Sequence, residues 1–304
     1  MENIIILGSG IAGLSSAVYT ARASLNPLVI TGHQDGGQLT LTTEVENYPG
    51  FKDGITGPQL VLEAKAQAER FGTRFVMEFV KEVKKEDNSI KIVTDQNTYE
   101  TKALIIATGA SARWLGLPNE KQFQSRGVHT CATCDGFFYK DKEILVVGGG
   151  DSACEEANFL SKFASKVTIV HRRDALRASK IMQDRVKNNP KIEIMWNAVI
   201  VDLKGEEKLS GVTIEDTQTK EHKDVAIDGI FLAVGHVPNT LFVKDLIDLD
   251  EHGFIKTDKR LHTNVEGIFA AGDVQDRIYK QAITAAGTGA QAALDAEKYL
   301  ESIE

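Results

Sequence analysis

The apolar residues of this chain fall in short solid blocks separated by amphipathic stretches and glycine clusters. Asn3 to Leu7 is a nearly continuous apolar run of the kind that a strand covered on both faces requires. Gly8-Ser9-Gly10-Ile11-Ala12-Gly13 follows, and Leu14 to Ala23 then reads as a helix with the small residues Ser15, Ser16 and Ala17 on its early turns. Pro27-Leu28-Val29-Ile30 is placed to be the parallel second strand of a βαβ unit. Residues 35–50 hold ordered turn signals. Pro58 to Arg70 reads as a helix capped near Thr56. Strands are predicted at Arg74–Lys84 and Ser89–Thr94, joined by Lys85-Glu86-Asp87-Asn88, and at Ala103–Gly109.

Past Gly109 and a turn-rich stretch with Pro118, the same order returns. Glu143 to Gly148 is an apolar strand that enters Gly148-Gly149-Gly150-Asp151-Ser152-Ala153, followed by a helix to about Lys162 and a strand at Lys166–Val170. Antiparallel strands are expected at 192–202, 209–216 and 223–227, and Gly229 to Gly235 echoes the strand at 103–109. Repetition of a whole architecture weighs more than a single motif. The tail carries a strand at Gly267–Asp273 and a helix at Gln281–Tyr299, and is assigned back to the first domain. The expectation is an α/β chain with two Rossmann-like dinucleotide-binding domains of the three-layer ββα type, the second inserted into the first. Residues 1–111 and 241–304 would form one, and residues 112–240 the other. Two thin crossings permit hinge motion.

At 304 residues the chain has room for two such domains. A formal net charge of −8, from 35 Lys plus Arg against 43 Asp plus Glu, speaks against a nucleic-acid surface. No apolar run approaches the ~18 residues that a membrane helix needs. The opening Met1-Glu2-Asn3 leads into a core strand and lacks the basic leader and cleavage site of a signal peptide, and the acidic charge balance with local basic clusters fits the expectation of a cytoplasmic enzyme. Three cysteines are too few for a disulfide-built scaffold and match a reducing compartment.

In the first glycine cluster, Gly8 suits the tight turn, Gly10 lets backbone approach a pyrophosphate, and Gly13 lets the helix pack on the strand. Where an acid would hold the ribose of NAD, Thr31-Gly32 stands instead. Gly272-Asp273 after the late strand offers a carboxylate to ribitol or ribose hydroxyls, and the helix from Gln281 presents its positive end, which favours FAD. Taken singly, a Gly-Asp after a strand is also an ordinary turn. The second cluster sets Gly148, Gly150 and Ala153 at fingerprint spacing, and His171-Arg172-Arg173 with Arg177 replaces the acid. Guanidinium groups hold a 2′-phosphate through bidentate bonds, which selects NADPH over NADH. A solvated basic turn is the plainer alternative.

Between the clusters lies Cys131-Ala132-Thr133-Cys134-Asp135-Gly136. So short a ring holds a strained disulfide that is easily reduced, which points to a redox pair. Zinc with His129 as a third ligand fits the spacing, but no second CxxC exists and a closed structural site needs four ligands. An inert pair in a turn is the other alternative. Asp135 is a candidate proton relay for the leaving thiolate, with a solvated carboxylate as the alternative. Cys154 reads as a small core residue, and His236 as part of a turn at the domain boundary.

The combination resembles the bacterial low-molecular-weight thioredoxin reductases. The resemblance runs through the glycine clusters, Gly36-Gly37-Gln38-Leu39, Thr43-Glu44-Val45-Glu46-Asn47-Tyr48-Pro49-Gly50, the CxxC segment and Glu155-Glu156-Ala157. It continues through His171-Arg172-Arg173-Asp174, Gly235-His236-Val237-Pro238-Asn239-Thr240, Ala271-Gly272-Asp273-Val274 and Gln281 to Gly287, in the family's order. Thr31-Gly32 is the family's own pattern, while Lys280 stands where relatives often have arginine. The resemblance implies homodimers with an FAD domain, an inserted NADPH domain carrying the CxxC, no metal, and thioredoxin as the protein substrate. It assigns Ser9, Ala12, Thr31, Gly32, Gly37, Gln38 and Asn47 to the FAD site, with Thr108, Gly109, Lys280, Gln281 and Ala282 completing it. Asp151 and Ser152 join the NADPH set. It makes Cys134 the thiol against the flavin, Cys131 the thiol that attacks thioredoxin, and Asp135 the acid–base group. Hydride would pass from NADPH to flavin, electrons to the disulfide, and dithiol exchange would follow, as the two domains alternate between arrangements. Another disulfide partner, or a slow redox sensor, remains an alternative.

Overall fold

The computed structural model describes residues 1–41 and 44–303. The chain divides into two units, Met1–Ser111 with Val237–Glu304, and Ala112–His236. Thr43 of the family-like segment, and Glu304 at the end of the expected first domain, lie outside the described residues.

The first unit is organised around β1 (Glu2–Leu7), whose Ile4, Ile5 and Ile6 are wholly buried because layers cover both faces of the sheet. α1 (Ile11–Arg22) and β2 (Leu28–Ile30) complete the βαβ turn. A two-residue pairing of β3 (Glu44–Val45) with β4 (Ile55–Thr56) leads into α2 (Gly57–Arg70). There Thr56 caps the helix by accepting from the Gln59 amide at 3.3 Å. β5 (Arg74–Val76), β6 (Val80–Lys85), β7 (Ile90–Thr94), β8 (Thr98–Ile106) and β9 (Ala110–Ala112) follow.

The strand expected at 74–84 is therefore two strands. It breaks at Met77-Glu78-Phe79 because Glu78 turns a buried carboxylate inward, where Thr94 Oγ1, Asn97 Nδ2 and Tyr99 OH donate to it at 2.6, 2.7 and 2.7 Å. β5 closes the parallel sheet beside β2, whereas β6 starts an antiparallel meander. β8 belongs to both: its first residues pair antiparallel with β7, and Leu104–Ile106 pair parallel with a strand from the tail.

The second unit contains α3 (Glu120–Phe123), β10 (Val128–His129), α4 (Ala132–Asp135), β11 (Glu143–Val147), α5 (Asp151–Leu160) and β12 (Lys166–Val170). α6 (Lys180–Lys187), β13 (Ile192–Met195), β14 (Ala198–Gly205), β15 (Leu209–Asp216), β16 (His222–Ala226) and β17 (Gly229–Leu232) complete it. The segment expected to be one antiparallel strand at 192–202 is split at Asn197, which takes a left-handed conformation at φ 51°. β13 ends up parallel to β12, and β14 opens a separate antiparallel sheet with β15 and β16. The parallel sheet runs β10-β17-β11-β12-β13.

The chain returns through β18 (His236–Pro238), which pairs with β9, so His236 lies in a strand where a turn was expected. β19 (Ile268–Ala270) then joins the first sheet beside β8, giving the parallel order β5-β2-β1-β8-β19. α7 (Ala282–Ile303) extends past the predicted end at Tyr299 and packs on α1, where Ser16 Oγ donates to the Gly289 carbonyl at 2.9 Å.

Candidate active site

In the first unit, the glycines of the fingerprint divide by what a side chain would meet. A Cβ on Gly13 would stand 1.9 Å from the Gly8 carbonyl oxygen, so α1 packs on the end of β1 only because that atom is missing. Gly10 has no neighbour within 4 Å of its Cβ position. The first amides of α1 have no side-chain cap and no acid in their turn, which leaves the positive end of the helix open to an anion.

Around that end the fold gathers residues distant in sequence. Ser9 Oγ accepts from the Gly36 amide at 2.9 Å, and a Cβ on Gly37 would lie 3.3 Å from the Gly10 Cα. Asp35, absent from the expected set, accepts from Lys65 Nζ at 2.6 Å through Oδ2, while its buried Oδ1 has no hydrogen-bond partner among the described residues. Burial opposes ionisation there, but the bonds from Lys65 and Ser9 prevail and hold the carboxyl below its usual range. An unpartnered acceptor beside an open glycine suits a hydroxyl-rich nucleotide. Gly272 comes against Ala12, and its amide donates to Thr288 Oγ1 at 2.9 Å. Burial, with Asp276 adding to it and Lys280 opposing, pushes Asp273 up to about 6. Asn47 Nδ2 donates to Gln281 Oε1 at 3.2 Å, and Thr108 exchanges bonds with Asn239. Among the described residues Thr31 Oγ1 bonds only to the next carbonyl, and Gln38 is exposed.

The second unit repeats the device with one change. Gly150 again has nothing within 4 Å, and Ala153 sits where the first unit has Gly13. Asp151 Oδ1 accepts from the Ser179 amide at 2.7 Å, a bond that lowers its pKa. His171 is buried, with Nδ1 at 2.8 Å from the Gly148 carbonyl and Nε2 at 3.0 Å from that of Ala175. Both ring nitrogens are thus engaged by backbone, and the residue braces the fingerprint loop. The Arg177 amide reaches the Gly149 carbonyl at 2.7 Å. Arg172, Arg173 and Arg177 are exposed, and none forms an ion pair among the described residues.

Cys131 and Cys134 are joined in a disulfide with Cα atoms 5.3 Å apart, Cys131 being the N-cap of α4. Both are half-buried, whereas Cys154 is wholly buried and its thiol is pushed up to about 11 by that burial. Asp135 is not a solvated carboxylate. It is buried, with Oδ2 3.0 Å from His129 Nδ1. His129 Nε2 lies 2.6 Å from the Tyr139 hydroxyl, which completes a line of three polar groups that starts at the residue following Cys134. Phe137 and Phe138, next to the motif, are exposed. No group of three or more His, Cys, Asp and Glu suited to a metal occurs among the described residues.

The model of the pyridine nucleotide-disulphide oxidoreductases matches residues 2–289. The thioredoxin reductase of Streptomyces clavuligerus is 54% identical over all of this chain and 95% of its own length. That of Rickettsia bellii is 52% identical over 98% of this chain and 97% of its own. The crystal structure of thioredoxin reductase from Streptococcus pyogenes superposes with a TM-score of 0.95 at 44% identity, covering 99% of each chain. The chain belongs to the pyridine nucleotide-disulphide oxidoreductases, in the branch of the low-molecular-weight thioredoxin reductases. Within that branch, the residues that reading by motif had overlooked are Asp35, His129 as the neighbour of Asp135, and Tyr139. No spacing rule links His129, Asp135 and Tyr139, because a strand end, a short helix and a following turn fold them together, while Asp35 is set apart by Lys65 and Ser9 in the first unit.

Proposed function

We infer that this protein is an NADPH-dependent thioredoxin-disulfide reductase that uses FAD, and the observation that carries the reading is the Cys131–Cys134 disulfide backed by a buried carboxylate in the unit of the second fingerprint. Gly8, Ser9, Gly10, Ala12 and Gly13 would hold the FAD pyrophosphate side, with Asp35 and Asp273 taking its hydroxyls. Thr31, Gly32, Gly37, Gln38, Asn47, Thr108, Gly109, Gly272 and the turn Lys280-Gln281-Ala282 would line the rest. Gly148, Gly150, Asp151, Ser152 and Ala153 would receive the NADPH pyrophosphate, and Arg172, Arg173 and Arg177 its 2′-phosphate. When bound, FAD supplies the step that neither nucleotide nor sulfur performs alone, turning a hydride from NADPH into two electrons for the disulfide.

Once reduced, the Cys131 thiolate attacks one sulfur of the thioredoxin disulfide, forming a mixed disulfide and expelling the other thioredoxin sulfur as thiolate. Asp135 takes the proton of the Cys131 thiol and gives it to this leaving sulfur, and the proton of the Cys134 thiol goes to the second one. The Cys134 thiolate then attacks Cys131, releases the second thioredoxin sulfur and restores the Cys131–Cys134 bond. Support for the two thiol roles comes from the family resemblance and from the position of Cys131 at the N-cap of α4. The working unit is a homodimer in the cytoplasm. The three-cysteine composition supports that compartment, and no described helix is long and apolar enough to cross a membrane. A visible absorbance spectrum followed by NADPH titration tests the reading: a flavin spectrum that NADPH bleaches and oxidised thioredoxin restores is the expected result. A preparation that binds no FAD on reconstitution would overturn it.

A further inference from the structure

His129 ends β10, two residues before the redox pair, and is buried. Its ring is gripped by two aromatic neighbours. Phe231 of β17 stacks on it with centroids 5.2 Å apart, Tyr139 meets it edge-on at 5.2 Å, and the Tyr139 hydroxyl lies 2.6 Å from Nε2. Tyr139 is itself locked, because a Cβ on Gly229 would fall 2.3 Å from its ring. Burial, then the charge of Asp135 and that of Asp228, keep the Tyr139 phenol protonated. The other ring nitrogen, Nδ1, is 3.0 Å from Asp135 Oδ2, close enough for an ion pair though not aligned for a hydrogen bond in this disulfide state. Nδ1 has no other polar partner among the described residues, and the Asp135 side chain retains 11% of its surface exposed.

Two buried polar groups facing each other, one of them otherwise unpartnered, are costly in a core unless their meeting serves the chemistry. We propose that His129 is a positioning residue for thiol–disulfide exchange, fixing the Asp135 carboxylate through Nδ1 while Phe231, Tyr139 and Gly229 fix the imidazole. The inference rests on the thioredoxin reductase reading and deepens it. His129 touches neither sulfur in this account; it acts through Asp135, whose adjacent position to Cys134 makes its orientation decisive for the proton handed to the leaving thiolate. An unanchored Asp135 would spend most of its time in rotamers that cannot serve that transfer.

The experiment uses the full-length FAD-loaded enzyme with NADPH and oxidised thioredoxin. His129→Leu keeps the bulk of the ring and removes both nitrogens, whereas His129→Asn keeps a polar N–H at the Nδ1 position. The expected result for His129→Leu is a kcat about tenfold lower, with KM for thioredoxin and the rate of flavin bleaching by NADPH unchanged. His129→Asn should recover to within about threefold of wild type. In an Asp135→Asn background, His129→Leu should add less than about twofold, since the group it positions is already disabled. Wild-type kcat in His129→Leu would overturn the proposal, as would a further tenfold loss in the Asp135→Asn background or an equal loss in His129→Asn and His129→Leu. A wild-type enzyme that consumes no NADPH with thioredoxin would instead overturn the reading beneath it.

Discussion

The two units use one sheet plan and fill it from opposite ends of the chain. In the first, the parallel order is β5-β2-β1-β8-β19; in the second it is β13-β12-β11-β17-β10. Position by position the strands correspond until the last. There the first unit is closed by a strand that arrives after everything else, and the second by one that precedes its own fingerprint. Each closing strand leads into the residues with the least ordinary chemistry: Gly272-Asp273 after β19, and Cys131 to Asp135 after β10. A place in the sheet, not an order in the sequence, decides where each candidate carboxylate appears, because sites form beyond the carboxyl ends of parallel strands. The units also differ at the third fingerprint position. Helix α1 touches the backbone of the preceding turn at Gly13, whereas α5 leaves room for the methyl group of Ala153.

The largest effect should come from erasing that last difference. Gly13→Ala drives a methyl group into a backbone oxygen, so a loss of at least ~3 kcal/mol in denaturant unfolding is expected, against ~1 kcal/mol or less for Ala153→Gly. Equal losses would break the contrast. Next, Arg172→Ala combined with Arg173→Ala should lower kcat/KM for NADPH by roughly 10–100-fold while NADH changes little, since two charge-assisted bonds are lost. A comparable loss with both nucleotides would deny the second unit its selectivity. The open glycines come third. Gly10→Ala and Gly150→Ala meet nothing within 4 Å, so each should unfold within ~1 kcal/mol of wild type. Yet Gly10→Ala should retain FAD poorly, and Gly150→Ala should raise the NADPH KM by about tenfold.

The last contrast, read through pH, concerns Asp273. Its pKa is about 6 in the fold against an ordinary 3.8, so the folded apoprotein binds this proton more tightly than the unfolded chain does. The stabilising contribution is therefore complete below pH 3.8 and lost as pH rises through about 6. Asp273→Asn should leave apoprotein stability unchanged near the lower end of that window. Above its upper end the variant should be more stable than wild type by up to ~3 kcal/mol, as thermal unfolding across the window would reveal. An equal gain at both ends would rule out ionisation as the cause.

Buried parallel strands were legible because they are solid apolar blocks, and β1, β11 and β12 stand where the pattern put them. Glycine clusters and the cysteine pair were legible because local geometry demands those residue types at those spacings. What escaped is polar and non-local. Glu78 ends a strand through three donors from the neighbouring hairpin, and hydrophobic periodicity does not register a buried acid. Asn197 splits the 192–202 segment through a single left-handed residue amid otherwise strand-like sequence. His129 gave no sign of serving Asp135, since its meaning depends on Phe231 and Tyr139 being brought to it by β17 and the turn after α4. Asp35 was hidden in the same way, its role set by Lys65 and Ser9.

The central claim is that electrons leave this protein only through the Cys131–Cys134 pair. Anaerobic rapid mixing of FAD-loaded Cys134→Ser with NADPH, followed by oxidised thioredoxin, tests it most directly. The account predicts a flavin that bleaches at the wild-type rate and then stays bleached, with no thioredoxin reduced. Reduction of thioredoxin at the wild-type rate, or a flavin that NADPH fails to bleach, would contradict it.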